Sequence, residues 1–343
     1  MVHDERPAGP NAVAVVFDDE RAVSDAGVVL VATLADRLGI EALAAQFVRL
    51  GERAGAANAG RKVMSLVYAM VLGAVCIDDT EILRSGSTRK LLGGRVAAPS
   101  TLGTFLRAFT FGHVRQLDRL LAETLKGAWA AGAGPGSERL LIDVDSFVGE
   151  VHGYAKQGAS FGYTGKRGYH PLIATRSGSG EVLHVRFRKG AANTQRGMPR
   201  FCDELIARVR RAGATGPCLL RADSGFWNTK VFDRLHEKGW QFSIGVRMTK
   251  PVTKLVAAIT ESDWQTLKDY PETGEAQIAE TVCRAVAWSC AASDWLPPRA
   301  SCFGSGATSR LRPIAPRTSH SLRLSTASTP SSSRSSATSK TRP

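Results

Sequence analysis

The sequence lacks any paired cysteine motif. Its six cysteines (Cys76, Cys202, Cys218, Cys283, Cys290 and Cys302) are scattered through 343 residues, with no C-x-x-C pair and no histidines at zinc-ligand spacing. Neither a zinc finger nor a disulfide framework is supported, so a reducing cytoplasm is the expected compartment. No apolar run approaches the ~20 residues that a membrane helix needs, and no membrane partner is expected. The opening "MVHDERPAGPNAVAVVFDDE" is polar and acidic, unlike the basic-then-apolar start of a secretory signal. Acidic residues are in deficit: 31 Asp plus Glu stand against 45 Lys plus Arg, a formal net charge of +14. After Asp294 there is no acidic residue at all. Clustered cations gain affinity for a polyanion by displacing counterions from its phosphates, which makes nucleic acid the first candidate partner. A basic surface without a partner is the alternative. No Ser-His-Asp or Cys-His arrangement stands in a convincing context, so covalent catalysis by the protein is unsupported.

The 43% of residues that are hydrophobic suffice for cores in two or three domains. Residues 1–27 read as a flexible N-terminus, and 28–135 as a helical region. In "GVVLVATLADRLGIEALAAQFVRL", Leu30, Leu34, Leu38 and Leu43 recur near one helical face, and "RKVMSLVYAMVLGAVC" repeats the pattern. Ser100 or Thr101 is the expected cap of a helix carrying Leu102, Phe105, Leu106 and Phe109. Arg61, Lys62, Arg84, Arg89 and Lys90 near helix ends fit either a DNA-reading helix-turn-helix or an ordinary bundle. Asp78 and Asp79 fit a turn cap or metal ligands.

After the glycine-rich joint "AAGAGPGS", residues 136–280 alternate strands and helices. Strands are predicted at 140–148, 169–176, 181–188, 217–223 and 240–246, and helices at 198–212, 227–238 and 250–259. Three strands on short connections imply an antiparallel meander; later strands separated by helices imply parallel additions through right-handed crossovers. The result is an α/β fold: a mixed sheet with flanking helices, of ribonuclease H-like arrangement, preceded by an all-helical domain.

The first strand, "LLIDVDSFV", carries Asp143 and Asp145 two residues apart and therefore on one face, with Leu141, Ile142, Val144 and Phe147 supplying burial. Asp223 ends the fourth strand in "LLRADSGFW". Taken singly, Asp143 is an acceptor at a strand margin and Asp223 a helix cap. Together on neighbouring strands, Asp145 and Asp223 would need a bound cation, since unpaired carboxylates are costly away from water. Mg2+ fits, being held by one or two carboxylates plus water and phosphate oxygens, and two such ions are the usual apparatus of phosphodiester chemistry. The polar loop "GYAKQGASFGYTGKRGYH" interleaves Lys156, Lys166 and Arg167 with Tyr154, Phe161, Tyr163 and Tyr169, a pattern suited to phosphates and unpaired bases, or to a solvated connection. "RFRKGAANTQRG" adds Arg186, Arg188, Lys189 and Arg196 as candidate DNA-backbone contacts.

These residues resemble a family. "LLIDVDSFVGEVHGYAKQGASFGYTGKRGYHPLIAT" followed by "LLRADSGFW" is similar to the DDE transposases of bacterial insertion sequences, specifically the IS1380 type, over roughly residues 30–280. The resemblance implies a helical DNA-binding region and a ribonuclease H-like core that uses Mg2+ (or Mn2+) to cut element ends and join them to target DNA. It further implies double-stranded DNA as partner, a homodimer on that DNA, and a bacterial cytoplasmic, nucleoid-associated protein. Carried over, Asp145 and Asp223 are the metal ligands, with Asp143 a support or an alternative first ligand. The family's third acid, a glutamate, comes from a late helix with a Tyr, Arg, Glu, Lys pattern after a β-rich insertion. Residues 281–343, dense in Ser, Arg, Pro and Thr, depart from that pattern and by composition read as a disordered, low-complexity basic tail. A frameshift near codons 281–285 would account for the change, leaving a catalytically impaired copy or a DNA-binding remnant that occupies element ends.

Overall fold

A computed structural model describes residues 23–94, 96–247, 249–266, 276–283, 286–293 and 301–305. The chain forms two compact units, one up to Cys218 and one from Leu219.

The first unit begins with α1 (Val28–Arg37), α2 (Ile40–Phe47), α3 (Ala59–Val71), the single turn α4 (Thr88–Leu91), α5 (Pro99–Arg107) and α6 (Phe111–Ala128). Its helical core gathers Val48, Leu50, Ala59 and Phe105, with Leu66 and Leu117 packed against them. Phe105 meets Phe109 edge-on at 5.0 Å between ring centroids, a favoured aromatic geometry. The leucine face expected of α1 is not the buried one. Val28 and Ala35 are buried, while Leu30 and Leu34 are 77% and 57% exposed. Helix α5 also differs: it starts at Pro99, whose fixed φ and missing N–H suit the first helical position. Ser100 and Thr101 therefore fall within the first turn, and no side chain caps it. A capping box opens α6 instead, where His113 Nδ1 accepts from the Thr110 amide at 3.0 Å.

The strand region starts with β1 (Leu140–Ser146). The chain then leaves to build a small separate sheet from β2 (Gly149–Glu150), β3 (Ser160–Phe161) and β4 (Arg167–Tyr169), in the order β2-β4-β3. It returns as β5 (Leu172–Arg176), antiparallel to β1, and β6 (Val182–Arg186), antiparallel to β5. The expected meander is thus present, but its predicted strand 169–176 is split. Pro171, which has no amide to donate, stands at the break between β4 and β5.

Helix α7 (Met198–Ala212) follows, burying Phe201, Leu205 and Val209. An ionic cluster ties it to α6 and β6. Arg208 donates to Asp118 Oδ1 at 2.5 Å, Arg115 to Glu204 Oε1 at 3.3 Å, and Arg186 to Glu204 Oε2. His184, fully buried, stands 3.5 Å from Asp118 and 3.1 Å from Glu204, its ring stacked on Phe201 at 4.6 Å. Burial works to raise the Asp118 pKa, but His184 and the Arg208 charge outweigh it and hold the carboxyl at about 2.

The second unit is entered through β7 (Cys218–Ala222). It continues with α8 (Thr229–Glu237), β8 (Gln241–Val246), α9 (Lys250–Ala257), β9 (Gln265–Thr266), β10 (Ala276–Cys283), β11 (Val286–Ser293) and β12 (Ser301–Ser305). Strands β7 and β8 are parallel, joined through α8, whereas β8-β12-β11-β10-β9 run antiparallel in that order. The sheet is therefore mixed, with helices between its strands, as the sequence pattern predicts. Asn228 caps α8 by accepting from the Lys230 amide at 3.0 Å. Val231, Phe232, Leu235, Trp240, Phe242 and Ile244 form the core, with Phe232 and Phe242 stacked at 4.6 Å.

Strands β9 to β12 have no counterpart in the sequence expectation. Two of them, Val286–Ser293 and Ser301–Ser305, stand within the stretch read as disordered. Residues 306–343 of that stretch lie outside the described residues, as does most of the proposed N-terminal segment.

Candidate active site

Strand β1 alternates as its sequence requires: Leu140, Ile142 and Val144 are buried, and Asp143 and Asp145 take the opposite face, half-buried and exposed respectively. Phe147, counted as a burying residue, lies beyond the strand end and is 53% exposed. Next to Asp145, the strand end is anchored. The Ser146 amide donates to Asp145 Oδ1 at 2.6 Å, and Ser146 Oγ lies 3.0 Å from His170 Nε2. His170 is 1% exposed, with Nδ1 2.7 Å from the Ala192 carbonyl. A carbonyl only accepts, so Nδ1 carries the proton, and in the neutral ring Nε2 accepts from the Ser146 hydroxyl. This support for the Asp145 strand end escapes sequence reasoning, since nothing in the spacing of His170 and Ser146 shows that the two meet.

Asp223 follows β7 directly in the second unit. It is exposed, and its Oδ1 accepts from the Gly225 amide at 3.0 Å, capping the short turn Ser224–Phe226. Phe226 is fully buried and Trp227 packs edge-on against Phe232 at 4.7 Å, so both serve the core.

Asp143, Asp145 and Asp223 offer only carboxylate oxygens, the donors Mg2+ prefers. Among the described residues no group of three or more His, Cys, Asp or Glu gathers into a cage. On β1, Asp143 and Asp145 suit an ion held by few protein ligands together with water and phosphate oxygens. Asp79, one of the two turn acids weighed as ligands, is occupied as a cap: its Oδ2 accepts from the amides of Val75 and Cys76 at 2.8 and 2.9 Å.

The two polar loops carrying candidate DNA contacts are knitted together. The Ala191 amide donates to Ser160 Oγ at 2.9 Å, Tyr169 bridges to Lys189, and Gly190 presses against the carbonyls of Ser160 and Gly168. Lys156, Lys189 and Arg196 are exposed there. Lys166 pairs with Glu150 at 2.8 Å, which raises the lysine pKa. Arg167 donates to the carbonyls of Gly153 and Tyr154 and lies over the Tyr154 ring, 5.3 Å from its centroid. Arg188 turns inward, donating to the carbonyls of His170, Asn193, Thr194 and Arg196 at 2.7 to 3.0 Å. Burial lowers its pKa to about 10, leaving it a cation at neutral pH.

The sequence profile described as "Transposase DDE domain group 1" matches residues 6–294, most of the chain. The chain belongs to this DDE transposase family. DDE transposases as a family are polynucleotidyl transferases or nucleases that generally require divalent metals. The match to the transposase profile runs past residue 281, where the composition changes, into β11. Among solved structures, a chain of the cryo-EM structure of a piggyBac transposase synaptic complex with hairpin DNA is similar, with 12% identity and a TM-score of 0.38. The alignment covers 81% of this transposase-family chain and 52% of that one, so it spans about half the length of that relative. No curated protein matches.

Proposed function

We propose that this chain is an insertion-sequence transposase of the IS1380 type, which hydrolyses DNA at the element's ends and joins the freed 3'-hydroxyl to target DNA. The observation that carries this reading is the family match over residues 6–294, which includes a first strand ending in two carboxylates on one face. Asp145 and Asp223 would hold Mg2+ or Mn2+, with Asp143 as support or alternative ligand. Bound there, the metal supplies Lewis-acid stabilisation of the attacking and leaving oxygens. The chain's own residues then have simpler tasks. Ser146 and His170 hold the end of β1, and the Gly225 amide holds the Asp223 carboxylate. Lys156, Lys166, Arg167, Lys189 and Arg196 place the DNA backbone, while Arg188 shapes the loop that presents them. The proposed assembly is a homodimer on double-stranded DNA, acting in the bacterial cytoplasm and nucleoid-associated when bound. The ribonuclease H-like core, with a helical DNA-binding region before it, belongs to the same proposal.

A second reading is favoured by the missing acids. No Asp or Glu follows Asp294, so the residues after it supply no third acid, and on this reading the product binds element ends without cutting them. The frameshift explanation of residues 281–343 belongs with this reading. Plasmid DNA containing the gene with its flanking sequence separates the two. Metal-dependent nicking near the flanks that disappears in Asp145→Ala and Asp223→Ala supports the enzyme. Tight binding to the flanks without nicking in Mg2+ or Mn2+ supports the binder.

A further inference from the structure

We infer that the small sheet β2-β4-β3 with its loops is a binding site for unpaired bases, a stacking platform for single-stranded DNA. This inference rests on the proposal that the chain works on DNA ends, and it specifies where a strand separated from its complement would go.

Four observations carry it. First, the aromatic side chains here face water: Tyr154 is 89% exposed, Phe161 63% and Tyr163 80%. Exposing three rings within ten residues of chain leaves apolar area unburied that folding would otherwise use. Secondly, Tyr154 and Phe161 border a cavity of about 310 Å³ lined also by Glu150, His152, Lys166 and Arg167, large enough for a planar base and its sugar, while the Tyr163 ring stands nearby in sequence, 5.8 Å from that of His170. Thirdly, the charge suits a phosphate backbone. Glu150 is neutralised by Lys166 at 2.8 Å, so Arg167, with the exposed Lys156 two positions after Tyr154, leaves the groove net positive.

Fourthly, the platform is rigidly made. The Arg167 guanidinium is pinned by the carbonyls of Gly153 and Tyr154 and covers the Tyr154 ring at 5.3 Å from its centroid. Tyr169 Oη donates to the Gln157 carbonyl at 2.9 Å, tying the loop back to β4. Two glycines set its thickness. A Cβ on Gly168 would fall 2.2 Å from the Gly149 carbonyl oxygen, and one on Gly190 2.1 Å from that of Ser160. Rings held in place before binding lose little entropy on stacking, and every base has a π-face, so recognition would be independent of sequence. Only two residues separate the platform from the ligands' strand: Phe147 and Val148 alone lie between Ser146, which ends β1, and Gly149, which opens β2.

The test uses the full chain and fluorescence anisotropy, comparing a blunt duplex with the same duplex bearing a short 3' thymine overhang. Wild-type protein is expected to favour the overhang by about tenfold or more, with Tyr154→Ala and Tyr163→Ala each removing roughly tenfold of that preference. Affinity for the blunt duplex should stay unchanged. Tyr154→Trp and Tyr163→Trp, which keep a ring, should retain the preference and thereby separate stacking from misfolding. Equal wild-type affinity for both probes overturns the inference, as does a parallel loss on both probes in the alanine variants. Because binding is read here and cleavage in the plasmid assay, overhang preference without nicking would leave the platform standing and remove the enzyme reading. Nicking without overhang preference would do the reverse.

Discussion

Arg188 and Lys189 are adjacent in sequence, yet the first points into four backbone carbonyls while the second stands in solvent. Charged donors to carbonyls lose more than neutral ones when removed. Arg188→Ala should therefore destabilise the protein by about 3 kcal/mol, whereas Lys189→Ala should change stability by less than about 0.5 kcal/mol. Chemical denaturation of the two variants checks this. Gly190→Ala is expected to be at least as damaging as Arg188→Ala, because the added methyl meets two backbone oxygens that cannot give way separately. Loss of the exposed-tyrosine environment, followed by fluorescence, would report it. Asp145 and Asp143 could be placed on one face from their spacing alone. The inward turn of Arg188 could not, since charge in a sequence carries no direction.

At the scale of elements, the cluster joining α6, β6 and α7 makes stability depend on pH. Asp118 has a folded pKa of about 2 against an ordinary 3.8. Its contribution is therefore complete above pH ~4 and lost as pH falls towards 2, on the order of 2 kcal/mol. Glu204 is likewise lowered, its burial outweighed by Arg186 and its neighbours, and it adds to the loss in the same direction. Thermal unfolding followed from pH 6 downward should show Tm dropping in that acid window. The Arg208→Met variant should start from a lower Tm and show a weaker pH dependence. Strands β1, β5, β6, β7 and β8 were readable because each alternates or is a short apolar run bounded by turn residues. The small sheet was not: Gly-Glu, Ser-Phe and Arg-Gly-Tyr are too short for a period. Strands β10 to β12 were hidden by their serines, alanines and cysteines, which carry weak strand preference, and α1 misled because its leucines imitate a core face.

For the whole molecule, the excess of 45 basic over 31 acidic residues predicts DNA affinity that falls steeply with salt. Each exposed cation that touches a phosphate should contribute about one to the slope of log K against log salt. Lys156→Ala, Lys189→Ala and Arg196→Ala are each expected to reduce that slope by about one, measured with blunt duplex. Arg188→Ala, judged on protein that remains folded, should leave it unchanged. The sequence made the basic balance and the carboxylate pair plain. It left unseen that the two basic loops share one scaffold, because Gly190 meets Ser160, thirty positions earlier, only once the chain between them has folded.

That scaffold bears on how the chain folds as well as on what it holds. Residues 147–171 separate β1 from β5, and a slack connection of this length would oppose their pairing through its closure entropy. Pairing of Gly149 with Tyr169 draws the two ends of the excursion together. The β1-β5 hairpin thereby closes as though its turn were short, and register between Asp145 and Ile173 is reached by zipping from a nearby anchor. Formation of the small sheet is then an early event on the route to the carboxylate-bearing strand, and weakening it should slow refolding more than it hastens unfolding.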